Sequence, residues 1–80
     1  MNIYIFSEKN FFKLEKITII KIFFKNKSFQ IMNNYIPTIG NIEFLFFYYK
    51  NNFCKIKLYN SFFIQKKKEL KIICDKYEFL

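Results

Sequence analysis

Apolar and polar residues alternate along a stretch in the second half of the chain, CKIKLYN. Cys54, Ile56 and Leu58 stand at the even positions, and Lys55 and Lys57 separate them. This period of two is typical of a β-strand with one face on a core and the other in water. The stretch therefore predicts a half-buried strand whose even positions face inward.

The segment ELKIICD repeats this alternation, but its surroundings also fit a helix. The even positions Leu70, Ile72 and Cys74 are apolar, as a half-buried strand requires. Helical spacing joins a different apolar set: Leu70, Ile73, Cys74, Tyr77 and Leu80. A helix over 66–80 would leave Ile72 off its apolar face, and no Ser, Thr, Asp or Asn caps its start. We predict a strand over 69–74, with the helix as the alternative.

Runs of β-branched and aromatic residues favour strands elsewhere: 2–6 (NIYIF), 16–20 (KITII), 28–32 (SFQIM) and 43–49 (EFLFFYY). Turn-forming segments separate the runs: SEKN, KNKS, NNYIPTIGN, KNN, NS and KKK. They recur about every ten residues, a spacing typical of sandwiches and barrels of short strands. We predict a single all-β domain over 1–80, a small flattened β-sandwich of about eight to ten short strands without a C-terminal helical hairpin.

Five residue types dominate the composition and limit what single residues reveal. Phe, Ile, Lys, Asn and Tyr make up 56 of the 80 residues, while Ala, Val, Arg, His and Trp are absent. Codons made only of A and T encode these five types, so the bias fits an AT-rich coding sequence. The net charge of +8 would ordinarily indicate a nucleic acid or an anionic membrane as partner. Because every cation is Lys and none is Arg, we expect most of them to be solvated surface residues.

The sequence lacks the side chains on which most catalytic and metal sites depend. Without His there is no imidazole base, and the serines have no recognisable activating partner. A single glycine excludes a Gly-rich phosphate loop, and the scattered acids do not indicate a carboxylate pair. We expect Cys54 and Cys74 to be buried thiols and not a disulfide framework. The sequence thus predicts a protein without catalytic activity, metal or cofactor, which works by binding or assembly.

Membrane and export signals are also missing from the sequence. The longest clean apolar run is FLFFYY, whereas a membrane-spanning helix needs about 20 apolar residues. Charged residues interrupt the N-terminal region, where a secretory signal requires a continuous apolar segment. We therefore expect the mature chain to be the whole chain.

The stretch FQIMNNYIPTI holds Pro37, the only proline of the chain. It aligns without a gap on the block Phe-Gly-Val-Leu-Pro-Gly-His-Ala-Pro-Leu-Leu. Asn34 takes the place of the turn glycine, Tyr35 that of the histidine, and Pro37 that of the second proline. This block is a motif of the epsilon subunit of F-type ATP synthase, the counterpart of the mitochondrial delta subunit, and the chain resembles the N-terminal β-sandwich of that family.

Two later blocks carry the same resemblance. LYNSF is similar to the family's Val-Ser-Gly-Gly-Phe, with Asn60 and Ser61 in the glycine places. LKIICD is similar to Val-Thr-Ile-Leu-Ala-Asp, the strand that closes the sandwich, and it ends on Asp75. Because Asn tolerates a left-handed backbone best after Gly, Asn34 and Asn60 are expected to stand in for glycines.

The resemblance implies a non-catalytic rotor subunit of the central stalk, which couples proton-driven rotation of the membrane ring to the gamma shaft during ATP synthesis. It implies the gamma subunit and the c-ring as partners, without a cofactor or nucleic acid. It also implies a peripheral location on the cytoplasmic, matrix or stromal face of an energy-transducing membrane. The sequence stops where the family's C-terminal helix pair begins, so the coupling role alone is expected.

Five residues are expected to contact those partners if the resemblance holds. Lys27, Ser28 and Gln30 would lie near the edge that faces the ring. Asn34 and Tyr35 would lie near the turn that faces gamma. Tyr35 is the strongest candidate of the five, because an aromatic ring with a hydroxyl often anchors an interface.

Two alternatives remain open from the sequence alone. Lysines interleaved with aromatic residues also fit a small basic RNA-binding or ribosome-associated protein, in which rings stack on bases and lysines contact phosphates. Such a protein would lose affinity steeply as salt increases. A translated frame without function would show the same alternation through base bias alone, and it predicts no cooperative unfolding.

Overall fold

Eight β-strands and no helix form the regular structure of residues 1–31 and 37–80, which are the residues that the computed structural model describes. The strands are β1 (Asn2–Phe6), β2 (Phe11–Leu14), β3 (Thr18–Phe24), β4 (Lys27–Ile31), β5 (Thr38–Tyr49), β6 (Asn52–Lys66), β7 (Glu69–Ile73) and β8 (Lys76–Phe79). The predicted all-β fold is confirmed. The predicted strand over 69–74 is also confirmed by β7, and the alternative helix over 66–80 is wrong.

Neighbouring strands follow the order β2-β1-β7-β6-β5-β3-β4, and β8 pairs separately with β6. β1 and β7 run parallel to each other, and the remaining pairs of these eight strands are antiparallel. The N-terminal strand therefore lies inside the sheet, between β2 and a strand from the far end of the chain. This pairing ties the two ends of the described chain together.

Two layers arise because the longest strands, β5 and β6, take part in both. Residues 62–66 of β6 pair with β7, whereas residues 56–59 pair with β8. The change of partner falls at Asn60, whose φ of 48° is left-handed, and the register of β5 shifts between Ile42 and Phe44. Layer one contains β2, β1, β7, the end of β6 and the start of β5. Layer two contains β8, β3, β4 and the other halves of β5 and β6.

Side chains from both layers meet in one apolar core. Its buried members are Ile3, Ile5, Ile17, Ile20, Ile22, Ile42, Leu45, Phe47, Ile56, Leu58, Phe63, Leu70, Ile72 and Cys74. Phe47 from layer two and Phe63 from layer one are its largest side chains, and burial of each ring is worth about 1.5–3 kcal/mol. The even positions of both alternating stretches face this core as predicted, with Cys54 only partly buried.

The sequence around Gly40, the only glycine of the chain, predicts a turn. The residue instead lies inside β5. It pairs with Phe63 on β6, whose ring lies over it. A Cβ atom at Gly40 would stand 2.9 Å from Cε1 of that ring. The position thus requires glycine because of a close approach in the core.

Four of the six predicted turn segments lie between successive strands, a fifth lies inside a strand, and the sixth ends inside a strand. SEKN, KNKS, KNN and KKK join successive strands, as predicted. NS lies inside β6. The TIGN of NNYIPTIGN lies inside β5, and residues 33–36 of that segment lie outside the described residues. β5 and β6 are therefore longer than the short strands predicted, at 12 and 15 residues. A local irregularity bends such a strand without ending its pairing.

Candidate interaction faces

The outer surface of layer one carries an apolar row that crosses four neighbouring strands. Phe11 pairs with Phe6, Phe6 with Ile73, and Ile73 with Phe62. Their side chains are 40% to 59% exposed, so the row is open to solvent. Because paired strands lie about 4.8 Å apart, the row is about 14 Å long.

Three further apolar side chains extend this row into a patch. Tyr4 stacks on Phe11 with 6.4 Å between the ring centroids. Ile64 pairs with Ile39, which is 73% exposed. We call the seven residues of this patch the apolar face: Tyr4, Phe6, Phe11, Ile39, Phe62, Ile64 and Ile73. Lys13 and Lys71 pair with Tyr4 on its two neighbouring strands, and Lys71 also pairs with Ile64, so cations lie among these three side chains and beside the row. Exposed apolar patches with polar neighbours are typical of protein–protein contact sites.

The outer surface of layer two combines aromatic rings with lysines. Strands β3, β5 and β6 supply its members, and cross-strand pairing sets them in three rows. The rows are Phe23, Phe44 and Lys57; Lys21, Phe46 and Lys55; and Tyr48 with Phe53. We call these eight residues the lysine–aromatic face. Its apolar members are all aromatic, whereas the apolar face includes three isoleucines.

The rings of the lysine–aromatic face form a continuous line of contacts. The ring centroids of Phe23 and Phe46 are 4.5 Å apart, those of Phe46 and Phe53 are 5.7 Å apart, and those of Phe53 and Tyr48 are 5.1 Å apart. Lys55 Nζ lies 5.5 Å from the Phe46 centroid and 5.7 Å from the Phe53 centroid, within cation–π range. Tyr48 and Phe53 are 40% and 50% exposed, so this end of the line is accessible.

The lysines give this face a positive charge. Within residues 1–31 and 37–80, none of Lys21, Lys55 and Lys57 forms an ion pair. Glu78 on β8 stands opposite Lys57 in register, and its Oε1 accepts a hydrogen bond from the Tyr59 hydroxyl at 3.2 Å. Lys57 Nζ lies 5.0 Å from the centroid of the Tyr59 ring. Glu78 therefore offsets part of the charge of Lys57, and Lys21 and Lys55 supply most of the positive charge of this face.

An open cleft of about 590 Å³ lies where the β1–β2 turn meets the bend of β6 and the β7–β8 turn. Asn60 Nδ2 donates to Asp75 Oδ2 at 2.8 Å, and the Asp75 amide donates to the Tyr59 carbonyl at 3.0 Å. Ser7 Oγ donates to the Asn10 carbonyl at 3.0 Å. The two bonds of Asp75 hold the β7–β8 turn against the bend of β6, and the Ser7 bond closes the β1–β2 turn.

Both cysteines are free thiols as predicted, but Cys54 is only partly buried, and the predicted burial is confirmed for Cys74 alone. Cys74 is buried, and its Sγ lies 3.7 Å from the Phe6 carbonyl oxygen. Burial raises the pKa of the Cys74 thiol, and the neighbouring Asp75 carboxylate adds to the increase. In the part of the chain that the structure describes, no three metal-ligating side chains come together.

The structure describes three of the five predicted contact residues. Lys27 and Ser28 are exposed on β4, which forms one edge of the sheet. Gln30 also lies on β4, paired with Lys21, but its side chain is outside the described residues. Asn34 and Tyr35 likewise lie outside the described residues. The three residues predicted to lie near the c-ring, Lys27, Ser28 and Gln30, therefore all belong to one edge strand, β4.

Sequence reasoning missed the two faces, although a signal for them was present. Adjacent side chains on a strand point to opposite faces, so one member of an apolar doublet must point away from the core. In Phe62–Phe63 and Ile72–Ile73 the second and the first member, respectively, are buried, and the others join the apolar face. In Phe46–Phe47 the second is buried and the first joins the lysine–aromatic face.

Comparison of the chain with protein-family models and with curated protein sequences finds no match. Among the described residues, no helix is long and apolar enough to cross a membrane.

Proposed function

We propose that this protein is a non-catalytic rotor subunit of an F-type ATP synthase, of the epsilon type, that couples proton-driven rotation of the ring to the gamma shaft. The observation that supports this most directly is the backbone of Asn60. The resemblance puts Asn60 in a glycine place, and its φ of 48° lies in the left-handed region that favours glycine. Its amide binds Asp75, the aspartate that ends the closing strand of the same resemblance.

The apolar face supplies the contact with gamma in this proposal. Four of its side chains form one exposed row, and an apolar surface of this kind gains stability when a partner covers it. The face extends to Ile39, which follows Tyr35 by four residues along the chain. Tyr35 is the residue that the resemblance directs toward gamma, but it lies outside the described residues, so the apolar face carries this part of the proposal.

The opposite edge supplies the contact with the ring. Lys27 and Ser28 present polar side chains on the edge strand β4, which suits the polar loops of a c-ring. β4 is held by β3, and β3 by β5. Because β5 and β6 pass without a break from layer two to layer one, a force on β4 reaches the apolar face through continuous backbone. The protein would thus act as a stiff link on the membrane-facing end of the shaft.

Co-expression with the gamma subunit of the same genome, followed by size exclusion, tests this function. Phe11→Glu places a charge at the β2 end of the apolar row in the proposed contact, and Phe11 is 59% exposed, so the fold should tolerate the change. Tyr48→Glu makes the same change on the opposite face at a residue 40% exposed. We expect the wild type and Tyr48→Glu to co-elute with gamma and Phe11→Glu to elute alone. Co-elution of Phe11→Glu, or failure of the wild type to co-elute, would overturn the proposal.

A further inference from the structure

We propose that the lysine–aromatic face binds single-stranded nucleic acid, with bases stacked on its rings and phosphates held by its lysines. This inference depends only on that face and is independent of the proposed contact with gamma. The lysine–aromatic face and the apolar face lie on opposite layers of the sandwich, so a partner bound to one leaves the other accessible.

The rings are arranged as a stacking platform. Phe44, Phe46 and Tyr48 occupy alternate positions of β5, so they point outward at intervals of about 7 Å along the strand. Phe53 continues the surface on β6, next to Tyr48. Tyr48 and Phe53 are exposed and Phe44 and Phe46 are half-buried, so the accessible end of the platform is at Tyr48 and Phe53. Exposed aromatic side chains on a sheet accept unpaired bases, because every base offers a planar face for stacking.

The lysines flank the rings on both sides. Lys21 on β3 and Lys55 on β6 both pair with Phe46, so one cation stands on each side of that ring. Lys57 stands in the same way beside Phe44. Bases that stack over the central strand therefore place their phosphates within reach of cations on the neighbouring strands. A polyanion is the partner whose charge complements this arrangement.

The type of apolar side chain distinguishes this occupant from an anionic membrane. A membrane surface favours aliphatic side chains as well as rings beneath the lysines. Among the described side chains of the lysine–aromatic face, the five apolar members are aromatic, whereas Ile39, Ile64 and Ile73 lie on the apolar face. Base stacking uses rings alone, so the composition favours nucleic acid. A duplex would keep its bases stacked inside, which leaves single strands as the form that reaches the rings.

Fluorescence anisotropy with a labelled oligouridylate of about 12 nucleotides tests the inference on the full chain. Phe53→Ala removes an exposed ring, and Lys55→Gln removes an exposed charge. Phe11→Ala and Lys71→Gln make the same changes on the outer surface of layer one. We expect Phe53→Ala to weaken binding by about fivefold or more. Lys55→Gln should make the slope of log affinity against log salt shallower by about 0.7.

The two control variants should bind the RNA about as the wild type does. Circular dichroism identifies any variant that fails to fold, and Lys55→Gln carries the test if Phe53→Ala is such a variant. Equal losses in Lys55→Gln and Lys71→Gln would show only non-specific attraction to a basic protein and would overturn the inference. Binding to vesicles with anionic lipid in the absence of RNA binding would overturn it as well. Phe53→Ala and Lys55→Gln should both still co-elute with gamma. A failure of the nucleic-acid inference can therefore be distinguished from a failure of the rotor proposal.

Discussion

Asn60 combines a left-handed backbone with a side chain that holds a second strand in place. Its φ of 48° is costly for residues with a Cβ, but less so for Asn than for most others. The amide group donates to Asp75 across the gap between the bend of β6 and the β7–β8 turn. The same residue therefore permits the bend and fixes the neighbouring turn against it.

Substitution of Asn60 should separate these two roles. Asn60→Gly keeps the backbone conformation and loses only the hydrogen bond, whereas Asn60→Ala loses the bond and adds strain. We expect Asn60→Ala to lower the free energy of unfolding by about 1–2 kcal/mol more than Asn60→Gly does. Urea unfolding followed by circular dichroism measures the difference. Equal stability of the two variants would mean that the left-handed conformation at this position is not required.

Gly40 should not tolerate even a methyl group. Gly40→Ala brings a Cβ to 2.9 Å from a ring that is 1% exposed and cannot move away freely. We expect a loss of about 1–3 kcal/mol in the free energy of unfolding. Because the ring causes the clash, the same substitution made in a Phe63→Leu background should cost less. If Gly40→Ala costs as much in both backgrounds, the contact with Phe63 does not explain the glycine.

Cys74 should make stability depend on alkaline pH. Its pKa is raised in the folded protein, so the buried thiol stays protonated where the unfolded thiol has already lost its proton. The stability it provides is full below the ordinary thiol pKa of about 8.5 and is lost as pH rises through the higher folded value. Cys74→Ala should therefore show a flatter decline of unfolding free energy above pH of about 8.5 than Cys54→Ala. Parallel declines in the two variants would contradict this assignment.

At the scale of strands, the turn between β5 and β6 contains residues that are not the most stable choice for its backbone conformation. Lys50 and Asn51 both have positive φ, at 51° and 65°. A two-residue hairpin turn of this kind favours Asn-Gly, because these residues adopt such angles at the lowest cost. We expect Lys50→Asn with Asn51→Gly to raise the free energy of unfolding by about 1 kcal/mol.

The matched control for this turn is Asn26→Gly in the β3–β4 turn. Asn26 does not have a positive φ, so the added freedom of glycine should destabilise the protein or leave it unchanged. Thermal unfolding of both variants provides the comparison. A gain in Asn26→Gly as large as in the β5–β6 turn would show that backbone strain at Lys50 and Asn51 is not the cause.

The sequence pattern predicts the strands in which apolar and polar residues alternate regularly. It misses strands that form only because of their pairing with distant parts of the chain. β1 and β7 follow their predicted runs closely because their inward positions are uniformly apolar. β2 and β8, with four residues each, are too short to show a period. The continuity of β6 through Asn60 and Ser61 was also missed, because a polar pair in a strand has the same local signature as a turn. Only pairing with β7 and β8 decides between the two.

On the scale of the whole molecule, the two layers present outer surfaces of different chemistry. The composition alone does not predict this, because phenylalanine, isoleucine and lysine occur throughout the chain. The folding of one sheet into two layers places the exposed isoleucines on the outer surface of layer one and the line of aromatic rings on that of layer two, while lysines occur on both surfaces. The predicted contact residues at Lys27 and Ser28 came from the resemblance, and the structure adds that they share one edge strand.

Photocrosslinking within the complex tests the rotor proposal most directly. A photoreactive phenylalanine analogue at position 11 lies in the apolar face, and the same analogue at position 48 lies in the lysine–aromatic face. Each variant is co-expressed with gamma, irradiated and analysed by mass spectrometry. A crosslink to gamma from position 11 and none from position 48 is the predicted result. Crosslinks only from position 48, or no association with gamma at all, would contradict the proposed docking of this protein on the shaft.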